Sequence, residues 1–143
     1  GLRIFEKYAV KCGGGTNHRF GLYDQVLIKD NHIEAAGSIT NAMNHVRKNV
    51  NQDKKLEIEV KNLKEVKEAI NNEADIIMLD NMSIETIKQS ISLINGKSKI
   101  EISGGVTYDK LAEISKSGAD YVSVGALTHS APAVDISMKI TSL

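Results

Sequence analysis

Two glycine turns near the end of the chain have the composition of a phosphate-binding site. The first is Ser103-Gly104-Gly105, which follows a short apolar run and precedes Thr107, where a helical pattern begins. The second is Gly125-Ala126, which follows the next apolar run. Glycine lets the backbone approach an anion closely, and the free N–H groups at a helix start favour negative charge. The spacing indicates a phosphate cradle with two lips, although two ordinary tight turns would have the same sequence.

A lysine and two carboxylates follow earlier apolar runs. Lys29 follows the first run, Glu59 lies near the end of the second, and Asp80 ends the third. Such a pair of carboxylates suits Mg²⁺ carried in by a polyphosphate, and it equally suits a developing cationic sugar. The alternative is that one carboxylate only neutralises Lys29. Glu57 points to the same face as Glu59, and we rank Glu59 first because it lies nearer the end of its run.

The loop after Gly13-Gly14-Gly15 carries an imidazole and a guanidinium on a predicted flexible hinge, in His18 and Arg19. Arginine binds carboxylates and phosphates bidentately, but a solvated basic loop is the commoner outcome. We interpret His45 as a surface residue and Cys12 as a packing residue rather than a nucleophile. The sequence has no transition-metal ligand spacing, no P-loop and no nucleic-acid motif.

Five apolar runs of strand length alternate with helical patterns. The predicted strands are 26–28, 56–60, 76–79, 100–102 and 121–124. The predicted helical faces are Ile39/Met43/Val46, Leu63/Val66/Ile70, Ile84/Ile87/Ile91/Ile94 and Tyr108/Leu111/Ala112, with a further amphipathic helix at Leu2/Phe5/Ala9/Cys12. Asn62 with Glu65, Ser83 and Thr107 stand where helix caps belong, and Gly118 stands where a helix should stop.

This alternation predicts a parallel sheet, either doubly wound or closed as a barrel. Polar residues at alternate strand positions (Glu57, Glu59, Ser103) favour a barrel because they would line its centre. Five or six strands do not readily close such a barrel, so we expect strands to be missing upstream. The fold class is therefore α/β, a parallel but incomplete (β/α) barrel, as one domain over residues 1–143.

Composition restricts the class of partner. The 18 basic and 18 acidic residues balance, and 41% of residues are apolar, as in an ordinary globular protein. This predicts small-molecule substrates held by placed cations, with no nucleic acid and no membrane. A single cysteine predicts a reducing, cytoplasmic location. The absence of an initial Met suggests a chain cut from a larger protein.

Several segments, in this order, resemble one family, the quinolinate phosphoribosyltransferases. They are Gly1-Leu2-Arg3, residues 6–10, Gly13-Gly14, Asn17-His18-Arg19, residues 27–32, residues 57–60, Leu79-Asp80-Asn81, Ser103-Gly104-Gly105 and residues 124–130. The resemblance spans nearly the whole chain, and the Asn-His-Arg loop together with residues 27–32 and 124–130 makes it specific. It implies the barrel of a type II phosphoribosyltransferase.

The resemblance also implies an activity: quinolinate and phosphoribosyl pyrophosphate give nicotinate mononucleotide, pyrophosphate and CO₂, with Mg²⁺, in NAD synthesis. By matching position, His18 and Arg19 would hold the quinolinate carboxylates, and Lys29 would lie near the reacting centre and the pyrophosphate. Glu59 and Asp80 would contact the ribose hydroxyls and Mg²⁺ and stabilise an oxocarbenium-like transition state. The 5-phosphate would be held by Ser103, Gly104, Gly125 and His129.

The chain departs from the family in length. The family has an N-terminal domain and a first barrel strand ending in Thr-Arg-Lys-Thr, and a further arginine reaches in from a partner subunit. We therefore expect the fragment alone to be nearly inactive, and the full-length enzyme to be a homodimer or larger. Three alternatives stay open: a related phosphoribosyltransferase of the molybdenum-locus type, a non-catalytic remnant, and an unrelated phosphate-binding barrel such as an aldolase that uses Lys29 as a Schiff base.

Overall fold

The computed structural model describes residues 1–51 and 53–141, which form five strands and seven helices. The strands are β1 (Val26–Ile28), β2 (Leu56–Val60), β3 (Ile76–Asp80), β4 (Lys99–Ser103) and β5 (Tyr121–Val122). The helices are α1 (Arg3–Cys12), α2 (Asp30–Ala36), α3 (Ile39–Asn49), α4 (Leu63–Asn71), α5 (Ile84–Ile94), α6 (Tyr108–Ile114) and α7 (Ala126–His129). Within this described part, no helix exceeds 11 residues, and none is long and apolar enough to cross a membrane.

The five strands form one parallel sheet in the order β1-β2-β3-β4-β5. A doubly wound sheet reverses its strand order at a switch point, whereas a barrel adds each strand beside the one before it. The sequential order therefore confirms a sheet of the barrel type. Each crossover contains at least one helix, and the crossover from β1 to β2 contains two, α2 and α3.

The hydrophobic core lies between one face of the sheet and the covering helices. On the strands it comprises Ile28, Leu56, Ile58, Val60, Ile77, Leu79, Ile100 and Ile102. On the helices it comprises chiefly Ile39, Met43, Val66, Ala69, Ile87 and Ile94. These β-branched and leucine positions alternate with the residues of the opposite face, as strand geometry requires. The opposite face carries Glu57 and Glu59 on β2, Met78 on β3 and Glu101 on β4. The prediction of polar residues on one face of the sheet is thus confirmed.

Side-chain caps mark three of the seven helix starts in the described part of the chain, those of α3, α4 and α5. The side chain of Asn62 accepts hydrogen bonds from the backbone N–H groups of Lys64 and Glu65, and Ser83 does the same for Thr86. Thr107 also precedes a helix, but its side chain makes no capping hydrogen bond. Helix α2 was not predicted from the sequence. It begins directly after Lys29.

Two predictions about the ends of the chain were wrong. Cys12 is exposed rather than packed, because helix α1 has no buried residue. Strand β5 was expected to reach residue 124, but it ends at Val122. The Ser123 N–H still donates to the Ile102 carbonyl oxygen at 2.9 Å, so the backbone leaves the sheet one residue later.

Candidate functional site

The polar residues predicted at the strand ends lie at one edge of the sheet. Asp80 and Ser103 are register partners on β3 and β4, and they end their strands. Glu59 is the penultimate residue of β2, and Lys29 directly follows β1. Since the strands are parallel, their carboxyl ends meet at the same rim, where functional groups of this architecture gather. We call Lys29, Glu59, Asp80 and Ser103 the mouth.

Carboxylates crowd the mouth and disturb one another. Burial raises the pKa of Glu59 from its ordinary value, and the nearby charge of Asp80 raises it further, while Lys29 opposes both effects. Asp30 and Lys61 lie at the same edge and pair at 2.7 Å between Oδ2 and Nζ, with both side chains about half exposed. Glu59 is thus a carboxylate that would gain from a cation beside it.

Asn81 joins the end of β3 to the glycine turn after β4. Its side-chain amide donates to Asp80 Oδ2 at 2.8 Å, and its backbone N–H donates to the Ser103 carbonyl oxygen at 3.0 Å. Asn81 has a φ of 51°, a left-handed conformation that asparagine tolerates better than most residues. A Cβ atom on Gly104 would lie 2.7 Å from the backbone nitrogen of Asn81, so only glycine fits there. Asp80 and Gly104 are therefore positioned by the same asparagine.

The two predicted phosphate lips differ in geometry. Gly104 and Gly105 have φ values of 89° and 57°, and the Gly105 carbonyl oxygen accepts from Lys110 Nζ at 3.1 Å. Gly125 has an ordinary φ of −61° and precedes α7, which Ala126 begins. At this second lip a Cβ atom would lie 3.4 Å from His129 Nε2, so the imidazole folds back over the glycine.

The loop that carries His18 and Arg19 is tied to helix α1. Lys7 Nζ donates to the His18 carbonyl oxygen at 2.7 Å and to the Arg19 carbonyl oxygen at 2.9 Å. The Asn17 side-chain amide donates back to the Lys7 carbonyl oxygen at 2.9 Å. Hydrogen bonds thus hold residues 17–19 through both the backbone and a side chain.

His18 contacts two buried carboxylates on the polar face of the sheet. Its Nε2 lies 3.1 Å from Glu57 Oε2 and 3.7 Å from Glu101 Oε1. The hydrogen bond to Glu57 raises the pKa of His18, although burial works against it. Gln25 Nε2 donates to the same Glu57 oxygen at 2.6 Å, and Ser123 Oγ donates to Glu101 Oε1.

Sequence reasoning did not find this cluster. Glu57 was noted only as a rival to Glu59, and neither Glu101, Gln25 nor Ser123 was singled out. These residues do not have the sequence spacing of a metal-ligand motif. Nevertheless, one ligand atom from each of His18, Glu57 and Glu101 lies within 4.8 Å of the others. The alternation Glu101-Ile102-Ser103, which repeats the pattern of Glu57-Ile58-Glu59, was the one available signal.

The other candidates lie apart from the mouth. His45 is exposed on α3, as predicted. A groove with a volume of about 1220 Å³ is lined by residues at the amino ends of β3 and β4, including Asp75 and Lys99. Lys99 is already paired there with Asp120 at 2.6 Å. This groove lies at the opposite end of the strands from the mouth.

Comparison with known proteins agrees with this arrangement. The family described as "Quinolinate phosphoribosyl transferase, C-terminal domain" matches residues 1–139. A probable nicotinate-nucleotide pyrophosphorylase (carboxylating) of Bacillus subtilis is 45% identical over 141 residues, which cover 99% of this chain and 49% of that protein. A protein of the same name from Methanocaldococcus jannaschii is 48% identical over 146 residues, covering 97% of this chain and 51% of that protein.

A solved structure supports the fold as well as the sequence match. The crystal structure of NadC from Streptococcus pyogenes is 50% identical to this chain and superposes with a TM-score of 0.92, covering 97% of this chain and 49% of that one. The chain thus spans about half the length of the curated relatives it matches. Agreement at this level excludes an unrelated phosphate-binding barrel such as an aldolase. The chain belongs to the quinolinate phosphoribosyl transferase family, in which it corresponds to the C-terminal domain.

Proposed function

We propose that the protein containing this chain is a nicotinate-nucleotide pyrophosphorylase (carboxylating) that makes nicotinate mononucleotide for NAD synthesis. Its substrates would be quinolinate and phosphoribosyl pyrophosphate, and its other products would be pyrophosphate and CO₂. The observation that carries the proposal is the mouth, where Lys29, Glu59, Asp80 and Ser103 meet at the ends of four neighbouring strands.

The carboxylates of the mouth suit the sugar. When pyrophosphate leaves the anomeric carbon, positive charge develops on the ribose ring, and fixed negative groups nearby stabilise it. Glu59 and Asp80 are the acidic side chains that would accept hydrogen bonds from ribose hydroxyls and supply this charge. Lys29, whose charge already reaches Glu59, would bind the departing pyrophosphate.

The same carboxylates fit Mg²⁺. Burial and Asp80 raise the pKa of Glu59, and a divalent cation between the two groups would relieve this repulsion. Mg²⁺ prefers oxygen ligands and commonly takes one or two carboxylates together with substrate phosphates. When bound, the ion would neutralise charge on the pyrophosphate. Glu59 and Asp80 would hold it at the rim.

The glycine turns suit the 5-phosphate. Left-handed glycines at 104 and 105 leave the backbone without side chains, so that a phosphate could approach it closely. The proposed phosphate ligands are Ser103, Gly104, Gly105, Gly125, Ala126 and His129. His18 and Arg19 would bind the carboxylates of quinolinate.

The isolated chain should retain substrate binding better than it retains catalytic activity. Quinolinate and phosphoribosyl pyrophosphate together carry many negative charges, and at the mouth Lys61 is already paired with Asp30. Because the chain spans about half the length of its relatives, we expect further cationic contacts to come from the remainder of the protein. The loss of such contacts costs catalysis more than binding when they act in the transition state.

Calorimetric titration with phosphoribosyl pyrophosphate and Mg²⁺ tests the proposal. Asp80→Ala should weaken binding about tenfold to a hundredfold, since a hydrogen bond to a charged group contributes about 1.5–3 kcal/mol. Glu113→Ala, at an exposed position on α6, is the matched control and should leave binding unchanged. Absence of binding by the unmodified chain would favour a non-catalytic remnant. Binding of nicotinate in preference to quinolinate would favour a related phosphoribosyltransferase.

We also propose a cytoplasmic location and a homodimer or larger assembly. The lone Cys12 is free, which suits a reducing compartment. Large apolar side chains are exposed on α1 and in the segment after α7, including Phe5, Tyr8, Ile136 and Ile140. Exposed apolar residues of this kind are typical of surfaces that associate.

A further inference from the structure

Two acidic side chains are buried where the proposed chemistry does not use them. Glu57 has no exposed surface, and Glu101 is only 5% exposed. A buried carboxylate loses the solvation of water, so it persists only where hydrogen bonds or an opposite charge compensate for that loss. Their position on the polar face of β2 and β4 therefore needs a partner.

His18 is the charged partner of both buried carboxylates, Glu57 and Glu101. The charged groups that face its imidazole are Glu57 from β2, Glu101 from β4 and Arg19 from its own loop. The other groups that hold the carboxylates, Gln25 and Ser123, are neutral donors. The cluster is thus arranged around one imidazole, held at Nε2 by Glu57 at 3.1 Å.

The remaining ring nitrogen of His18 is available to a ligand. Within residues 1–51 and 53–141 its Nδ1 has no hydrogen-bond partner, and about a third of the side chain (32%) is exposed. A carboxylate that accepts from Nε2 sets the direction of the ring, and in the protonated imidazole Nδ1 is then a second donor with a fixed direction. Arg19, the next residue, lies on the same tethered segment.

We propose that Glu57 and Glu101 are positioning residues that fix His18 through its Nε2, so that its Nδ1–H, with Arg19, receives a carboxylate of the pyridine substrate. This inference rests on the proposed function for the identity of that substrate. Glu57 and Glu101 themselves touch no substrate. They act by setting the orientation and the charge of the imidazole.

The same three side chains could instead hold a cation. Glu57 Oε1 is buried and has no hydrogen-bond partner among the residues that the structure describes, and the side chains of His18, Glu57 and Glu101 have the spacing of metal ligands. A protonated Glu101, whose pKa burial raises, can donate to that oxygen and complete the network without an ion. A bound cation would instead withdraw His18 from the substrate.

Nuclear magnetic resonance of the ring nitrogens of the 143-residue chain tests the inference. The four histidines are few enough to resolve, and His18→Asn assigns the signal. We expect the His18 midpoint to lie above the ordinary histidine pKa of 6.5 and to fall in Glu57→Gln, because the hydrogen-bonded carboxylate is lost. Glu113→Gln is the matched control. Glu101→Gln should shift the midpoint in the same direction by a smaller amount, because burial raises the pKa of Glu101 and so reduces its negative charge. This variant serves if Glu57→Gln does not fold.

Titration with the two substrates distinguishes a positioning role of Glu57 from a general structural role. Quinolinate should move the His18 Nδ1 signal. Glu57→Gln should weaken the affinity for quinolinate, measured from this signal, about tenfold, while the affinity for phosphoribosyl pyrophosphate and Mg²⁺ changes less than about twofold. An unchanged His18 midpoint in both variants, an equal loss of both ligands, or tight Zn²⁺ binding that needs Glu57 would overturn the inference. If phosphoribosyl pyrophosphate did not shift the backbone signals of Ser103 and Gly104 in the unmodified chain, the proposed function would be contradicted. The His18 midpoints would still test whether Glu57 and Glu101 position the imidazole.

Discussion

Replacing Gly104 by alanine should destabilise the chain more than an equivalent change elsewhere, because Asn81 occupies the space that a side chain would need. Gly104 has a φ of 89°, and its Cβ would lie 2.7 Å from the Asn81 nitrogen. Gly37, at the end of α2, has nearly the same φ of 82° but nothing within 4 Å of its Cβ position. Gly37→Ala therefore reports the backbone strain alone.

The expected magnitudes follow from these two terms. A left-handed conformation costs a residue with a Cβ roughly 1–2 kcal/mol, and this should be the whole effect of Gly37→Ala. An overlap with packed backbone adds typically about 1–3 kcal/mol, so Gly104→Ala should cost about 2–5 kcal/mol. Relief of the overlap would displace Asn81, which donates to Asp80, so the variant should also bind phosphoribosyl pyrophosphate more weakly.

Urea unfolding followed by circular dichroism measures both free energies of unfolding under the same conditions. The difference between the two variants isolates the contact with Asn81, since the strain is shared. If Gly104→Ala and Gly37→Ala lower the free energy of unfolding equally, Asn81 does not cover Gly104, and the proposed coupling between the glycine turn and Asp80 is refuted.

Two further predictions concern charge. The hydrogen bond to Glu57 raises the pKa of His18, so the folded state holds the imidazole proton more tightly than the unfolded state does. The stability that this proton contributes is complete below pH 6.5 and is lost as the pH rises through the folded-state pKa. Unfolding measured across this range should show the decline in the unmodified chain and a flatter profile in His18→Asn; identical profiles would contradict it. Lys61→Met should leave the free energy of unfolding nearly unchanged, because its ion pair with Asp30 is about half exposed and screened by solvent. A larger loss in urea unfolding at moderate salt would show that the pair is shielded.

The mouth could be predicted from the sequence because it depends on a regular pattern. Apolar runs alternating with helical periodicity place Lys29, Glu59, Asp80 and Ser103 at successive strand ends, and parallel strands bring those ends together whatever the details of packing. The caps at Asn62 and Ser83 are equally local, since each side chain bonds backbone groups two or three residues away.

The His18 cluster could not be predicted in the same way. His18 and Glu57 are 39 residues apart, and their contact depends on how the loop after α1 returns to the sheet. Hydrogen bonds from Lys7 set that return, and neither they nor the donor Gln25 follow any periodic pattern. Cys12 was mispredicted for a related reason, because an amphipathic pattern gives a helix an apolar face but does not say whether anything covers it.

We expect the four strand ends to form one binding mouth for phosphoribosyl pyrophosphate. Backbone amide spectra of the chain, recorded while phosphoribosyl pyrophosphate and Mg²⁺ are added, test this most directly. We expect the signals of Glu59, Asp80, Ser103 and Gly104 to move together at one saturating concentration. Changes confined to the groove at the opposite end of the strands, around Asp75 and Lys99, or no changes at all, would contradict the account.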